Sequence, residues 1–338
     1  MHPAKLWISL KNQAVQCRLC SHYCRLETGE YGLCGVRLND KGNLYTLVYD
    51  KVAAANVDPI EKKPLFHFQP GSWSFSIGTM GCNLACTFCQ NDSLSQGPKK
   101  TSYRITGQSI TPEQIVQSAV KQGCSSISYT YSEPTIFFEL MYDTSVLARE
   151  AGLKNVLVSN GFMTKDCLHQ MDPYADAINV DLKAFRNEFY TSYCQAKLQP
   201  VLRNLKTIKE LGWWLEVTTL IIPDLNDSQS ELKELASFLV NDLGTDVPWH
   251  ISRFHPAYLM QDKGPTPMST LEMAYNLGKQ AGLKYVYLGN VPGHNSETTL
   301  CPACGQPVIK RRAFTLGQIN LDGNKCSHCG AEIAGVFS

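Results

Sequence analysis

Three cysteines, Cys82, Cys86 and Cys89, stand at CxxxCxxC spacing in one short run that begins at Gly81. An iron–sulfur cube is ordinarily held by four thiolates, so three in one loop leave one iron open to another ligand. An open metal position is where chemistry is done. Eleven of the fourteen cysteines fall into compact groups: this trio, the quartet Cys17, Cys20, Cys24 and Cys34, and the quartet Cys301, Cys304, Cys326 and Cys329. Disulfide frameworks belong to short secreted chains, whereas 338 residues with no signal-peptide pattern and no long apolar run point to metal. Cys124, Cys167 and Cys194 stand alone and read as small buried apolar residues.

Both quartets offer four ligands. In the C-terminal one, two CxxC pairs lie 21 residues apart and each is followed by a glycine, Gly305 or Gly330, the pattern of a zinc-ribbon or rubredoxin-like knuckle. The N-terminal quartet has the spacing x2, x3, x9 and suits either zinc or a second iron–sulfur cluster, with His22 as an alternative ligand.

Around these groups the composition is that of a large folded domain with small appendages: 43% hydrophobic residues and only 18% charged ones. A net charge of +1 gives no broad electrostatic footprint for nucleic acid or an anionic membrane. The basic triplet Lys310, Arg311 and Arg312 reads as a solvated face of a small metal module.

The middle of the chain must position the trio, and it alternates strand and helix patterns. Trp73–Ile77 reads as a strand running into the cysteine loop. Thr111-Pro112-Glu113-Gln114 is a helix start, with Ile115, Val116, Ala119 and Val120 on one face. Further strands are expected at Ser126–Tyr131, Asn155–Ser159, Ala177–Asp181, Trp214–Ile222, Trp249–Phe254 and Lys284–Leu288. Helices are expected at Pro134–Ala151 and at Asp227–Val240, the latter with an aspartate cap. Repeated strand–helix units imply an α/β fold, a parallel sheet curled into a full or partial barrel. The expected organisation is an N-terminal four-cysteine module with its lead-in over residues 1–70, a barrel over 71–295 and a knuckle over 296–338.

In such barrels the site forms on loops at the carboxyl ends of strands. Ser132-Glu133, Ser159-Asn160, Asp181 with Lys183, Thr218 and His255 fall there. Singly, Asn160-Gly161 reads as a turn and Asp181 with Lys183 as a surface ion pair. Jointly, downstream of CxxxCxxC, they read as a site.

The run Gly81-Cys82-xxx-Cys86-x-Phe88-Cys89 resembles the signature of the radical S-adenosylmethionine superfamily. Cys17-x2-Cys20-x3-Cys24, Gly32-Leu-Cys34-Gly-Val-Arg37, Tyr129-Thr-Tyr-Ser-Glu-Pro134, Val180-Asp-Leu-Lys183, Val217-Thr-Thr-Leu-Ile-Ile-Pro223 and Ala334-Gly-Val336 resemble its AmmeMemoRadiSam-system branch, itself similar to pyruvate formate-lyase activating enzymes. The resemblance implies a partial (β/α)6 barrel and a [4Fe-4S] cluster on Cys82, Cys86 and Cys89, with S-adenosyl-L-methionine chelating the fourth iron. It sets Phe88 beside adenine and Ser132 and Glu133 at the methionine amine, where Tyr131 and Ser132 replace two glycines of the family's Gly-Gly-Glu segment. Ser159, Asn160, Thr218 and His255 also fall at cofactor-contacting positions, and Asp181 and Lys183 at the methionine carboxylate or the ribose. Val158 replaces an aspartate of the activating enzymes.

What the resemblance implies for function is reductive cleavage of S-adenosylmethionine to a 5′-deoxyadenosyl radical that abstracts hydrogen from a substrate. The implied partners are an external reductant such as flavodoxin or ferredoxin and Memo-like and AMMECR-like proteins. Two other readings stay open: an activase making a glycyl radical on a large partner, and a non-catalytic electron carrier. A cytoplasmic enzyme with structural zinc is the expectation.

Overall fold

Strands in the middle of the chain alternate large apolar residues with small or polar ones, and this alternation dictates a sheet with one greasy and one polar face. The computed structural model describes residues 1–291 and 296–337. Its central strands are β1 (Lys51–Pro59), β2 (Trp73–Thr79), β3 (Ser126–Tyr129), β4 (Lys154–Ser159), β5 (Ala177–Asp181), β6 (Trp214–Ile221), β7 (Trp249–Arg253) and β8 (Val286–Gly289). They lie side by side in chain order, with Gln108–Ser109 added outside β1. Strands β2 to β8 are parallel, and β1 is antiparallel to β2.

Helices α1 (Pro112–Lys121), α2 (Phe138–Glu150), α3 (Lys165–Met171), α4 (Leu198–Leu211), α5 (Gln229–Phe238) and α6 (Met268–Ala281) fill the crossovers. The seventh parallel strand, β8, falls at the expected Lys284–Leu288 run and adds one strand to the (β/α)6 barrel that the resemblance implies. Strand β1 starts the sheet upstream of residue 71, so the expected boundary between 70 and 71 falls after the sheet has begun.

Phe75, Ile77, Ile127, Tyr129, Leu157, Ile178, Val180, Leu215, Val217, Trp249 and Ile251 are buried in one continuous core with the helices. The alternate positions form polar rows in register across the concave face: Asn179 opposite Glu216, and Asp181 opposite Thr218 opposite His250. Parallel strands covered on both faces are usually apolar throughout. Polar residues on one face therefore mark an enclosed chamber.

Local signals hold with small shifts. Helix α1 begins with the expected capping box of Thr111 and Gln114, which satisfies two end donors reciprocally. Val120 points to solvent, 54% exposed, and so leaves the face formed by Ile115, Val116 and Ala119. Helix α5 is capped by Ser228, whose hydroxyl accepts from the Glu231 amide, one residue after the aspartate expected there.

The N-terminal module consists of two three-stranded antiparallel sheets, and Val15, Leu19, Leu26, Val36, Leu44 and Val48 join the barrel's own core. Its Arg37 is buried in an ion pair with Glu139 of α2. The C-terminal tail makes a separate cluster in which Val308, Ile309 and Ile333 pack with Phe66, Tyr285 and Tyr287.

Beneath the chamber the floor is a buried polar network. Glu216 accepts from the amides of Phe66 (3.0 Å) and His67 (2.8 Å), from Trp214 Nε1 (2.9 Å) and from His250 Nε2 (2.6 Å). His67 bridges the Ala334 carbonyl (2.7 Å) and the Tyr287 hydroxyl (2.6 Å). Arg311 reaches the same floor: its guanidinium lies 4.4 Å from the Phe66 ring, donates to Thr299 Oγ1 at 2.7 Å and stands 3.6 Å from Glu61. Arg311 is thus buried, a correction to its reading as a solvated face. Lys310 and Arg312 remain exposed.

Burial lowers the His67 pKa from 6.5 to about 4. Between those values the unfolded chain binds a proton that the folded chain does not, so stability rises with pH across this window and is lost as pH falls from about 6.5 to about 4. The contribution is up to about 3 kcal/mol. Urea unfolding between pH 4 and 7 should show this slope in the wild type, and the slope should flatten in His67→Phe.

Candidate active site

The loop after β2 carries the three sulfurs and owes its shape to one glycine. Gly81 has φ +101, and a Cβ there would meet Val36 Cγ1 at 2.5 Å and the Cys34 carbonyl at 3.0 Å. Glycine alone tolerates that backbone and that approach. The Leu84 amide donates to Cys82 Sγ at 3.4 Å, and Ser95 Oγ lies 3.2 Å from Cys89 Sγ. Segment Tyr190–Cys194 clamps the loop from outside, its Tyr193 and Cys194 carbonyls accepting from the amides of Thr87 and Ala85 at 2.9 Å. Cys194 is buried as expected. All three loop thiols are free, and burial pushes the Cys82 and Cys89 pKa values up.

Glu133 joins the next two strand ends. It is 1% exposed, and its Oε1 accepts from the Thr135 amide (3.0 Å), Thr135 Oγ1 (2.5 Å) and Ser159 Oγ (2.8 Å). Its Oε2 accepts from the Asn160 amide at 2.8 Å. Burial raises its pKa against these hydrogen bonds. Asn160 Nδ2 in turn donates to Asn83 Oδ1 at 2.8 Å and lies 3.8 Å from Cys82 Sγ. The carboxylate therefore fixes Ser159 and Asn160 against the sulfur loop.

Tyr131 has φ +67, a left-handed backbone that a tyrosine adopts only when its surroundings hold it there. Its hydroxyl donates to Asp58 Oδ2 at 2.6 Å, and its carbonyl accepts from Asn91 Nδ2 at 2.8 Å. Asp58 is itself paired with Lys62 and Lys63. At this position a residue anchored through its hydroxyl and its carbonyl holds the backbone that glycine adopts freely. Ser132 Oγ, next in the chain, is buried without a partner.

Lys183 Nζ pairs with Asp181 Oδ2 at 3.0 Å and lies 6.0 Å from the Phe88 ring centre. Although burial opposes its charge, Asp181 and the Cys86 and Cys194 sulfurs raise its pKa. Thr218 Oγ1 donates to Asn179 Oδ1 at 2.9 Å. A cavity of about 530 Å³ gathers Cys82, Cys86, Phe88, Cys89, Ser132, Glu133, Ser159, Asn160, Asp181, Lys183 and Thr218 on its wall. His255 is the exception: it is solvent-exposed and absent from that wall, because the buried Phe254, tied to Thr266, turns the chain outward. The inward residues of that strand are Ser252 and His250.

A larger cavity of about 870 Å³ adjoins the first, and Lys62, Thr218 and Ser252 line both. Its far wall is Glu61, Arg311, Arg312 and Phe314, so the C-terminal module closes it. Sequence reasoning passed over Asp58, Lys62, Lys63 and Ser252. Their only signal is the acid–base spacing of Asp58 and Lys62 at the end of β1.

The donor sets fit metal. Three free sulfurs in one cavity, beside an unpartnered serine hydroxyl, suit a cluster with an open iron and a chelating ligand. The C-terminal quartet is compact: Cys301 and Cys329 sulfurs are 3.6 Å apart, Cys304 and Cys326 3.9 Å, and all four lie within 4.8 Å of one another. A single tetrahedral ion with metal–sulfur bonds of about 2.3 Å sets its sulfurs about 3.8 Å apart.

Residues 76–239 match the model of the Radical SAM superfamily. The chain is 46% identical over 336 residues to the protein MJ0808 of Methanocaldococcus jannaschii, covering 98% of this chain and 99% of that one. It is 19% identical over 180 residues to the pyruvate formate-lyase-activating enzyme of Clostridium pasteurianum, covering 50% of this chain and 72% of that one. Over 43% of its length and 48% of the other's, it is 22% identical to the (2S)-3-sulfopropanediol dehydratase activating enzyme of Klebsiella oxytoca. Its fold is similar to that of Streptococcus suis SuiB bound to precursor peptide SuiA, with a TM-score of 0.51, 14% identity, and 69% of this chain and 52% of that one covered.

Glu133→Gln places an amide donor against the Asn160 or Ser159 donors. It should cost about 1–3 kcal/mol and loosen the strand β4 terminus. Thermal unfolding checks the first, and faster amide exchange at residues 159–162 checks the second.

Proposed function

We propose, from the premise that this chain belongs to the radical SAM superfamily, that it cleaves S-adenosylmethionine and acts on a small molecule held in the larger cavity, as an AmmeMemoRadiSam-branch enzyme. The observation that carries this reading is one cavity wall on which Cys82, Cys86 and Cys89 face Ser132, Asn160 and the Asp181–Lys183 pair. When bound, a [4Fe-4S] cluster with S-adenosylmethionine supplies one-electron cleavage to methionine and a 5′-deoxyadenosyl radical, which takes a hydrogen atom from the substrate.

The chain's own residues bind, orient and exclude water. Cys82, Cys86 and Cys89 would hold the cluster through their thiolates and, being three, would leave it one open position for S-adenosylmethionine. Ser132 Oγ and the remaining lone pair of Glu133 Oε2 receive the amine. Lys183 Nζ, kept protonated beside Asp181, attracts the carboxylate, and Asp181 is placed for the ribose hydroxyls. Phe88 offers a ring face to the adenine. Thr218 and Ser252 stand where the two cavities meet, so a substrate in the larger one reaches the 5′ carbon through that opening. The C-terminal quartet holds zinc and braces the far wall.

A volume of about 870 Å³ suits a small molecule, and most such sites fall between about 300 and 1,000 Å³. The second reading, an activase for a glycyl radical enzyme, draws on the likeness to activating enzymes. An external reductant such as flavodoxin or ferredoxin supplies the electron, and Memo-like and AMMECR-like proteins are the partners this branch implies.

Anaerobic protein with a reconstituted cluster, incubated with S-adenosylmethionine and dithionite, should release 5′-deoxyadenosine and methionine in equal amounts. Cys86→Ala should lower the rate at least a thousandfold. No release from wild-type protein with a full cluster overturns the reading and leaves a non-catalytic electron carrier.

A further inference from the structure

The three cysteine groups differ in how far apart their sulfurs stand. The C-terminal quartet draws all four within 4.8 Å of one another. Among the described residues no three sulfurs of Cys17, Cys20, Cys24 and Cys34 meet that spacing, and neither do the three of the loop. A tetrahedral zinc needs its four sulfurs about 3.8 Å apart, whereas a cube of several irons holds its thiolates at separate corners, farther from one another.

The N-terminal four are nevertheless one group, tied together by backbone hydrogen bonds and by Arg37. The Cys17 amide donates to the Cys24 carbonyl at 2.9 Å, the Tyr23 amide donates to the Cys20 carbonyl at 3.1 Å, and a Cβ at Gly32 would meet both Cys34 Sγ (3.5 Å) and Arg37 Cβ (3.8 Å). Arg37 Nη1 lies 3.5 Å from Cys17 Sγ.

A staple is not what this module lacks. Val15, Val36 and Val48 are fully buried and continuous with the barrel core, whereas the C-terminal tail has only a small cluster of its own. Small units short of core are the ones that need a structural ion.

Position supplies the rest. The Cys34 carbonyl and Val36 abut Gly81, one residue before Cys82. The His22 ring donates from Nε2 to the Asn83 carbonyl at 2.7 Å, one residue after it. On the other side Cys24 is partly exposed in an open surface depression shared with Tyr23, Tyr31, Leu33 and Tyr103. Leu33 is 56% exposed there, and Tyr31 stacks on Tyr103 at 4.0 Å.

We infer that Cys17, Cys20, Cys24 and Cys34 hold a second, multi-iron iron–sulfur cluster, and that this module is where a low-potential one-electron donor such as reduced ferredoxin delivers the electron used at Cys82, Cys86 and Cys89. One electron leaves the donor, which is oxidised, and one arrives at the loop; no bond is made or broken. The metal assignment stands on this module's geometry alone, while the electron route rests on the radical SAM reading above.

The test uses full-length anaerobic protein. In the triple variant C82A/C86A/C89A, iron and acid-labile sulfide should remain in equal amounts, with an electron paramagnetic resonance signal after dithionite. A single iron at the C-terminal quartet carries no acid-labile sulfide, so sulfide separates the two sites. Zinc at two ions per chain with neither iron nor sulfide overturns the proposal. In the variant C17S/C20S/C24S/C34S, or in C24S alone if the fourfold change prevents folding, stopped-flow reduction of the loop cluster by reduced ferredoxin should slow at least tenfold. An unchanged rate overturns the electron route. Failure of wild-type protein to release 5′-deoxyadenosine with dithionite would strike the radical reading and leave the iron and sulfide counts standing.

Discussion

The buried carboxylate of Glu133 is the joint on which the site turns. A carboxylate stripped of water must find its donors inside the protein, and here they come from its own turn through Thr135 and from the next strand end through Ser159 and Asn160. That demand locks two crossovers of the barrel to each other, and through the Asn160 side chain it reaches Cys82 and Asn83. The sulfur loop is thus positioned by an electrostatic requirement that originates elsewhere in the chain. Tyr131 extends the same logic on the other side, since its left-handed backbone persists because Asp58 and Asn91 hold both ends of the residue.

A sheet whose concave face is polar must be closed at its floor without leaving those groups unpaired. The chain does this with Phe66 and His67, whose amides meet Glu216, and with Tyr287, Thr299 and Arg311, which carry the network into the C-terminal tail. The tail is consequently part of the chamber wall as well as a metal knuckle. Its burial of Arg311 against Phe66 explains why a basic triplet at the tip of a small module is split, one member inside and two outside.

Three cysteine groups in one chain illustrate how spacing in space sorts metal chemistry. Compact sulfurs close around one ion and shield it. Spread sulfurs in a cavity leave room for a larger inorganic core and, with three of them, for a ligand at the fourth corner. The order in space, surface depression, N-terminal quartet and then loop trio, runs from solvent to the cavity inside the barrel.

Much of this was legible in the amino-acid string because it is local. The CxxxCxxC run, the two quartets, the capping box at Thr111 and the strand–helix alternation each depend on neighbours a few residues away, so periodicity and spacing suffice. Residues at strand ends, such as Glu133, Asn160, Asp181 and Lys183, were legible as a rim because parallel barrels put those ends together. His255 lay one step too far along its strand for that rule, and Val120 and Asp227 show the same uncertainty of a residue or so at element edges. What spacing in sequence left open was which sulfurs stand close and which stand apart, whether Arg311 is wet or buried, and which residues line the second cavity. Those are set by contacts between segments more than a hundred residues apart, Arg37 with Glu139, Glu216 with His67, Arg311 with Phe66. Only the closed tertiary structure, in which every buried charge must find a partner wherever the chain happens to carry one, decides them.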